Sequence, residues 1–259
     1  MPKPASGGDM NTCIGVIGGS GLDNPDLFVP LSENEVETAY GKPSSPLRKG
    51  RLKDTDTELV LLSRHGLGHT IPPHKVNHRA NIAALKEAGC AHIVATTACG
   101  SLRDDLHPGS LVVPDQFIDF TRNPVTYFDS FADGVKHPAM ADPFSPLVRR
   151  ALLDAATECG IEAMDGGCVV SIPGPRFSTR AESRMFRILG CDIINMTVAP
   201  ECILAFEARI PYAAIAMVTD YDSWDEQRPA LSIEDIFKVM GENVDHILQI
   251  LLKTFPRLA

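Results

Sequence analysis

The chain has little that would tie it to a membrane, a nucleic acid or an oxidising compartment. No apolar run approaches the ~18 residues that a membrane-spanning helix needs. Positive charge is scarce: 24 Lys and Arg stand against 33 Asp and Glu, a formal net charge of −9. That balance argues against nucleic acid or an anionic membrane surface as a general partner, and an anionic ligand would need a local basic pocket. The cysteines (Cys13, Cys90, Cys99, Cys159, Cys168, Cys191, Cys202) form an odd, scattered set without a Cys-x-x-Cys, mostly inside apolar runs. This is the usage of reduced thiols acting as small hydrophobes, not of a disulfide framework or a zinc site. G-x-G-x-x-G, Gly-Lys-Ser and His-Glu-x-x-His are all missing, so dinucleotide, Walker-type and zinc-protease readings lack their motifs. Residues 1–12 carry Pro, Gly, Ser and Lys but no apolar segment, which predicts a flexible tail and not a signal peptide, and hence a cytoplasmic protein.

What remains is ordinary globular composition, 44% hydrophobic and 22% charged over 259 residues, with no linker, repeat or low-complexity segment. One domain over 13–259 is expected, large enough for a full core. Its most informative stretch is Tyr212 to Asp222 (YAAIAMVTDYD), apolar until it ends in two carboxylates. Preceded by Pro211, it reads as a strand buried on both faces, as in a parallel sheet covered by helices. Ligands in such α/β folds sit at the carboxyl ends of strands, where Asp220 and Asp222 would stand.

Other strand ends carry similar chemistry. Cys13–Ile17 runs into Gly18-Gly-Ser-Gly21, a glycine turn that reads equally as a tight turn or as an anion site with Ser20 as hydroxyl donor. Glu58–Ser63 delivers Arg64 and His65. His65/His69 and His74/His78 are spaced i, i+4, but Pro72-Pro73 breaks any common helix and no metal site is expected. Asn77–Gly89 has helical periodicity with a glycine stop, and Ala91–Thr97 is a buried strand ending in Thr97-Ala-Cys-Gly-Ser101. Leu111–Phe120 predicts strand and turn. Residues 121–142 lack periodicity and read as an ordered excursion that carries His137 and meets another subunit. Helices are predicted over Pro143–Gly160 and from the capping box Thr179-x-x-Glu182 to Leu189, with strands at Gly167–Ile172 and Asp192–Asn195. Arg180, Arg184 and Arg187 suit a solvated face or a functional one equally. Pro200-Glu201 opens a further helix, Glu201 at its positive end, so that Thr197 lies at a second natural anion position. Leu231–Leu252 predicts a packing helix with Ser232 as N-cap.

The strand ends thus supply Ser20, Arg64, His65, Thr97, Thr197 and the pair Asp220/Asp222: hydroxyls and one fixed cation opposite two acids. That ring suits a phosphate on one side and a heterocycle with donor and acceptor edges on the other. GVIGGSGL, RHG with HTIPPHKVNHRAN, TTACGSL, GPRFSTRAESRMFR, NMTVAPE and VTDYDSW occur in order between Ile14 and Leu252. Together they resemble the 5'-methylthioadenosine phosphorylases of the trimeric purine nucleoside phosphorylase family.

The resemblance implies an α/β domain with a central mixed, largely parallel twisted sheet covered by helices, the nucleoside phosphorylase fold. It implies phosphorolysis of 5'-methylthioadenosine to adenine and 5-methylthioribose 1-phosphate, with no cofactor and no metal, in a homotrimer. By analogy, phosphate sits against Ser20, Arg64, His65, Thr97, Ala98 (through its backbone) and Thr197. Met196 lies along the ribose, Asp220 protonates or hydrogen-bonds purine N7, and Asp222 and Ser178 hold the rest of the adenine edge. Ile233, Ile236 and Phe237 pack the methylthio tail, although their spacing alone suits core equally, and His137 comes from a neighbouring subunit. An acid that donates to N7 must keep a proton near neutral pH, so Asp220 is expected to be buried with a raised pKa, helped by repulsion from Asp222. Relatives that take 6-oxopurines carry Asn in place of Asp220 and a Glu in the loop around 178–182, so this chain points to a 6-aminopurine. A 5'-methylthioinosine or 6-oxopurine nucleoside phosphorylase is the alternative. A binding module without turnover and a nicotinamide-dependent dehydrogenase are the weaker readings.

Overall fold

The computed structural model describes residues 12–18, 28–226 and 233–259, with the side chains of residues 233–237 and 242 excepted. Almost all of the predicted tail, the turn holding Ser20 and the predicted cap Ser232 lie outside the described residues. Eleven strands and five α-helices occur among them. In chain order these are β1 (Cys13–Gly18), β2 (Phe28–Asn34), β3 (Leu47–Leu52), β4 (Glu58–Ser63), α1 (His78–Glu87), β5 (Cys90–Ser101), β6 (Leu111–Val113) and β7 (Gln116–Asp119), followed by α2 (Pro146–Glu158), β8 (Ala163–Asp165), β9 (Cys168–Ser171), α3 (Arg180–Ile188), β10 (Ile193–Asn195), α4 (Val198–Ala208), β11 (Tyr212–Asp220) and α5 (Ile233–Leu258).

All strands join one mixed sheet, in the order β2-β3-β4-β1-β5-β10-β9-β7, with β11, β6 and β8 branching from β5. The centre is parallel: β4, β1, β5 and β11 run together, as do β10, β9 and β7. Antiparallel pairing joins β2 to β3, β3 to β4, β10 to β5 and β11 to β6. Successive strand residues divide between the two faces, as strand geometry requires. Ile17, Ala95 and Ala216 meet α1 and α4 through Ile82, Leu85 and Leu204. Their neighbours Val16, Val94 and Ile215 meet α2 and α5 through Val148, Leu152 and Leu251. With helices on both faces, β11 is buried from Tyr212 through Thr219, which is why its sequence is apolar without alternation. A smaller cluster joins Phe186 of α3 to Val170 and Ile194.

Several elements differ from the sequence reading. β5 does not end at Thr97 but runs on to Ser101: its first half lies between β1 and β11, and Gly100 and Ser101 pair with β10. The small residues there are needed for close strand approach, since a Cβ on Gly100 would meet Ile194 at 3.1 Å and Asp222 at 3.2 Å. β2 and β3 were not read at all, because all of β2 but Phe28 is exposed and neither alternation nor an apolar run marks it. α2 starts at Pro146, three residues after the predicted Pro143, with the Ser145 hydroxyl accepting from Val148 N–H at 3.4 Å. α4 starts at Val198, two residues before the predicted Pro200. α5 continues beyond Leu252 to Leu258 because Phe255 and Leu258 still bury apolar surface, and Pro256 falls in the last turn. The expected capping box is present: Thr179 Oγ1 accepts from Glu182 N–H, and Glu182 accepts from Thr179 N–H at 2.8 Å. Residues 121–142 form no helix or strand. They are tied down where Thr126 O–H and Tyr127 N–H donate to Glu207.

Candidate active site

The carboxyl ends of β4, β5, β10 and β11 open on one cavity of about 530 Å³. Arg64, His65, Thr97, Ala98, Met196, Thr197, Asp220 and Asp222 all line it, so eight of the residues singled out in the sequence meet in one place. Ser178 stands behind Asp222, and its single O–H reaches both carboxylate oxygens, at 2.9 and 3.1 Å. The side chains of Ile233, Ile236 and Phe237 fall outside the described residues. α5 nevertheless reaches the cavity through Met240, Gly241, Val244, Ile247 and Leu248, none of which the sequence reading picked out from an ordinary packing helix. His137 does not line the cavity of its own chain; its ring packs edge-on against Phe131, 5.3 Å between centroids.

At the cationic end, Arg64 follows β4 directly and its N–H donates to the Gly18 carbonyl at the end of β1, 3.0 Å away. Arg64 is only 3% exposed. Nε and Nη2 donate to the two oxygens of Glu201 at 2.5 and 3.0 Å, and Nη1 donates to the Thr96 carbonyl at 2.8 Å. Among the described residues this commits three of the five N–H groups and leaves two on the terminal nitrogens, in a side chain that lines the cavity. Burial alone would push the Glu201 carboxyl up, but Arg64 outweighs it and Glu201 stays below its usual range. Beside Arg64, burial and then the guanidinium itself bring His65 down to about 4. The neutral ring sits with Nδ1 2.9 Å from the Ile71 carbonyl. Donation there assigns the proton to Nδ1 and leaves the lone pair on Nε2. His69, with a left-handed backbone (φ 57°), stacks on that ring at 4.4 Å and also lines the cavity.

Thr97 is held by a buried relay that the sequence did not disclose. Ala199 N–H donates to Ser171 Oγ, Ser171 O–H donates to Asn195 Oδ1, and Asn195 Nδ2 donates to Thr97 Oγ1 at 3.3 Å. Thr197 is the N-cap of α4, yet its hydroxyl makes no capping hydrogen bond, so it is not spent on its own helix.

At the acidic end, burial pushes Asp220 up to about 6; the Thr219 hydroxyl at 2.9 Å opposes the shift and the nearby Asp222 carboxylate adds to it. Burial and the like charge are the two causes expected from the sequence. Asp222 occupies a left-handed backbone (φ 23°), a rare geometry for a residue with a side chain. The loop that carries it is braced from behind. Trp224 Nε1 donates to the Ser101 carbonyl at 2.9 Å, Arg187 lies 3.8 Å above the Trp224 ring and pairs with Asp104, and Arg184 pairs with Glu226. These contacts make Arg184 and Arg187 structural. Between the two ends, Met196 packs against Gly174, where any Cβ would fall 2.4 Å from its sulfur; the left-handed φ of 64° also favours glycine there. Among the described residues no cluster of three His, Cys, Asp or Glu could hold a metal ion, and no helix is long and apolar enough to cross a membrane.

A sequence model of the phosphorylase superfamily matches residues 13–255. The chain belongs to that superfamily. Within it, the chain is similar to the S-methyl-5'-thioadenosine phosphorylases: 50% identical to that of Xenopus tropicalis over 95% of this chain and 89% of the relative, and 47% identical to that of Hyperthermus butylicus over 99% and 91%. Among solved phosphorylases, a methylthioadenosine phosphorylase from Schistosoma mansoni in complex with adenine superposes with a TM-score of 0.87 at 42% identity, over 95% of this chain and 91% of that one. A variant of the adenosine/methylthioadenosine phosphorylase from the same organism, in complex with methylthioadenosine, superposes with a TM-score of 0.86. The phosphorylase fold read from the motifs is therefore the fold of this chain.

Proposed function

We propose that the chain is an S-methyl-5'-thioadenosine phosphorylase, in which inorganic phosphate attacks the anomeric carbon of the nucleoside to give adenine and 5-methylthioribose 1-phosphate. The observation that carries this reading is the polarity of one cavity, with a buried guanidinium and the Thr197 hydroxyl, unused as a helix cap, at one end and a carboxyl of raised pKa at the other. The relatives named for this activity, and the S. mansoni structures with adenine and methylthioadenosine, support the same substrate.

In this mechanism Arg64, Thr97, Thr197, the Ala98 backbone and Ser20 position the phosphate. Neutral His65 offers the Nε2 lone pair to a phosphate hydroxyl. Fixing the nucleophile removes much of the entropic barrier of a two-substrate reaction. As the glycosidic bond lengthens, the ribosyl carbon gains oxocarbenium character and the purine gains negative charge. Asp220, whose raised pKa of about 6 keeps a protonated fraction available near neutral pH, donates to purine N7. Asp222, oriented by Ser178, accepts from the 6-amino group, which is where a 6-oxopurine would present an oxygen to a carboxylate. Met196 packs along the ribose, and α5 encloses the methylthio tail with Ile233, Ile236 and Phe237. His137, remote from its own cavity, closes that of a neighbouring copy in a homotrimer. Light scattering in solution should give three times the 28.0 kDa chain mass; a monomeric mass with full activity would remove His137 from the site. The reaction calls on no organic cofactor and no metal, and the protein acts in the cytoplasm.

Purified protein incubated with phosphate and either 5'-methylthioadenosine or 5'-methylthioinosine tests the proposal through the base released. Adenine that disappears when phosphate is withheld is the expected result. Hypoxanthine alone would overturn the base assignment, and no base from either nucleoside would overturn the activity.

A further inference from the structure

Glu201 is the most deeply buried carboxylate in contact with the candidate site, at 0% exposure, and nothing in the proposed chemistry uses it directly. It stands in the first turn of α4, where its N–H donates to the Thr197 carbonyl at 3.3 Å. Its oxygens receive Arg64 Nε and Nη2, and Oε2 also accepts the Tyr212 hydroxyl at 2.9 Å from the start of β11. His78 Nδ1, at the head of α1, lies 3.9 Å from Oε1. The end of β4, the start of β11 and the head of α1 therefore converge on one carboxylate of α4, and the only member of the group that lines the cavity is Arg64. A buried ion pair of this kind contributes little net stability once desolvation is counted, but it fixes geometry strictly, because a guanidinium gripped along its Nε–Nη2 edge cannot rotate.

We propose that Glu201, backed by Tyr212, is a positioning residue that locks the Arg64 fork in register with Thr197 and so determines where phosphate binds. This rests on the phosphate reading given above. The pair spans 137 residues of sequence and couples the end of β4 to the N-terminal turn of α4, so that the cation and the Thr197 hydroxyl move as one unit. Without it Arg64 keeps its charge but loses its orientation. Phosphate use then suffers while the nucleoside end of the cavity is untouched.

The test uses the full chain with Tyr212→Phe, which deletes one hydroxyl and keeps the ring in the core, and Glu201→Gln, which keeps the shape and removes the charge. Inorganic phosphate binding is measured by calorimetry, and KM is measured separately for phosphate and for 5'-methylthioadenosine. The expected result is a rise of about three- to tenfold in phosphate Kd and KM for Tyr212→Phe and about 100-fold for Glu201→Gln, with nucleoside KM within about twofold, the range set by hydrogen bonds to charged groups. A Tyr212→Phe protein that melts like the parent and binds phosphate equally well would overturn the proposal, as would equal rises in both KM values. Should Glu201→Gln fail to fold, Tyr212→Phe decides alone. A parent protein that binds no phosphate would instead sink the phosphate reading itself.

Discussion

Asp220 shows how a single side chain can be prepared for acid chemistry by its surroundings. Folded, it holds its proton up to about pH 6, whereas its ordinary value is 3.8. Its contribution to stability is therefore complete below about pH 4 and is lost as pH rises through 6, up to about 3 kcal/mol. Asp220→Asn, neutral at every pH, should escape this loss. Melting temperature followed from pH 4 to 7 should show the variant gaining on the parent through that window, and parallel curves would contradict the assigned burial. The same change should cut turnover of the 6-amino nucleoside by roughly 100-fold or more, the scale of losing one transition-state hydrogen bond; an unchanged rate would remove Asp220 from the chemistry. Asp220 was readable because it ends an apolar run. Glu201 was not: in sequence it sits acceptably at a helix's positive end, and nothing local announces that it faces an arginine from another strand.

At the scale of elements, the strands that carry the site were legible because two-sided burial leaves an apolar run stopped by polar residues, as in β4 and β11. The antiparallel β2–β3 hairpin was not, because an exposed edge needs no apolar face. Nor was the continuation of β5 past Thr97, since small residues chosen for close strand approach look like a loop. The relay from α4 through Ser171 and Asn195 to Thr97 is likewise a product of tertiary structure alone. Ser171→Ala should leave Ala199 N–H and Asn195 Oδ1 without that partner in a site that is 0% exposed, at a cost of about 1–3 kcal/mol. Chemical denaturation measures this directly, and a stability within about 0.5 kcal/mol of the parent would show that the relay is replaced by other partners.

For the whole molecule, one sheet brings strand ends that are distant in sequence to a common cavity, and its two faces are closed by α1 with α4 and by α2 with α5. Under the proposed function the cavity has a direction: anion at the β4 and α4 side, base at the β11 side, sugar between. That direction is the central claim, and it requires the bond at the anomeric carbon to form with a phosphate oxygen. The most direct measurement is turnover of 5'-methylthioadenosine in phosphate carrying heavy oxygen at all four positions, with the sugar product weighed by mass spectrometry. The account predicts 5-methylthioribose 1-phosphate that retains all four labelled oxygens. Free 5-methylthioribose, with its anomeric oxygen taken from water, would contradict it.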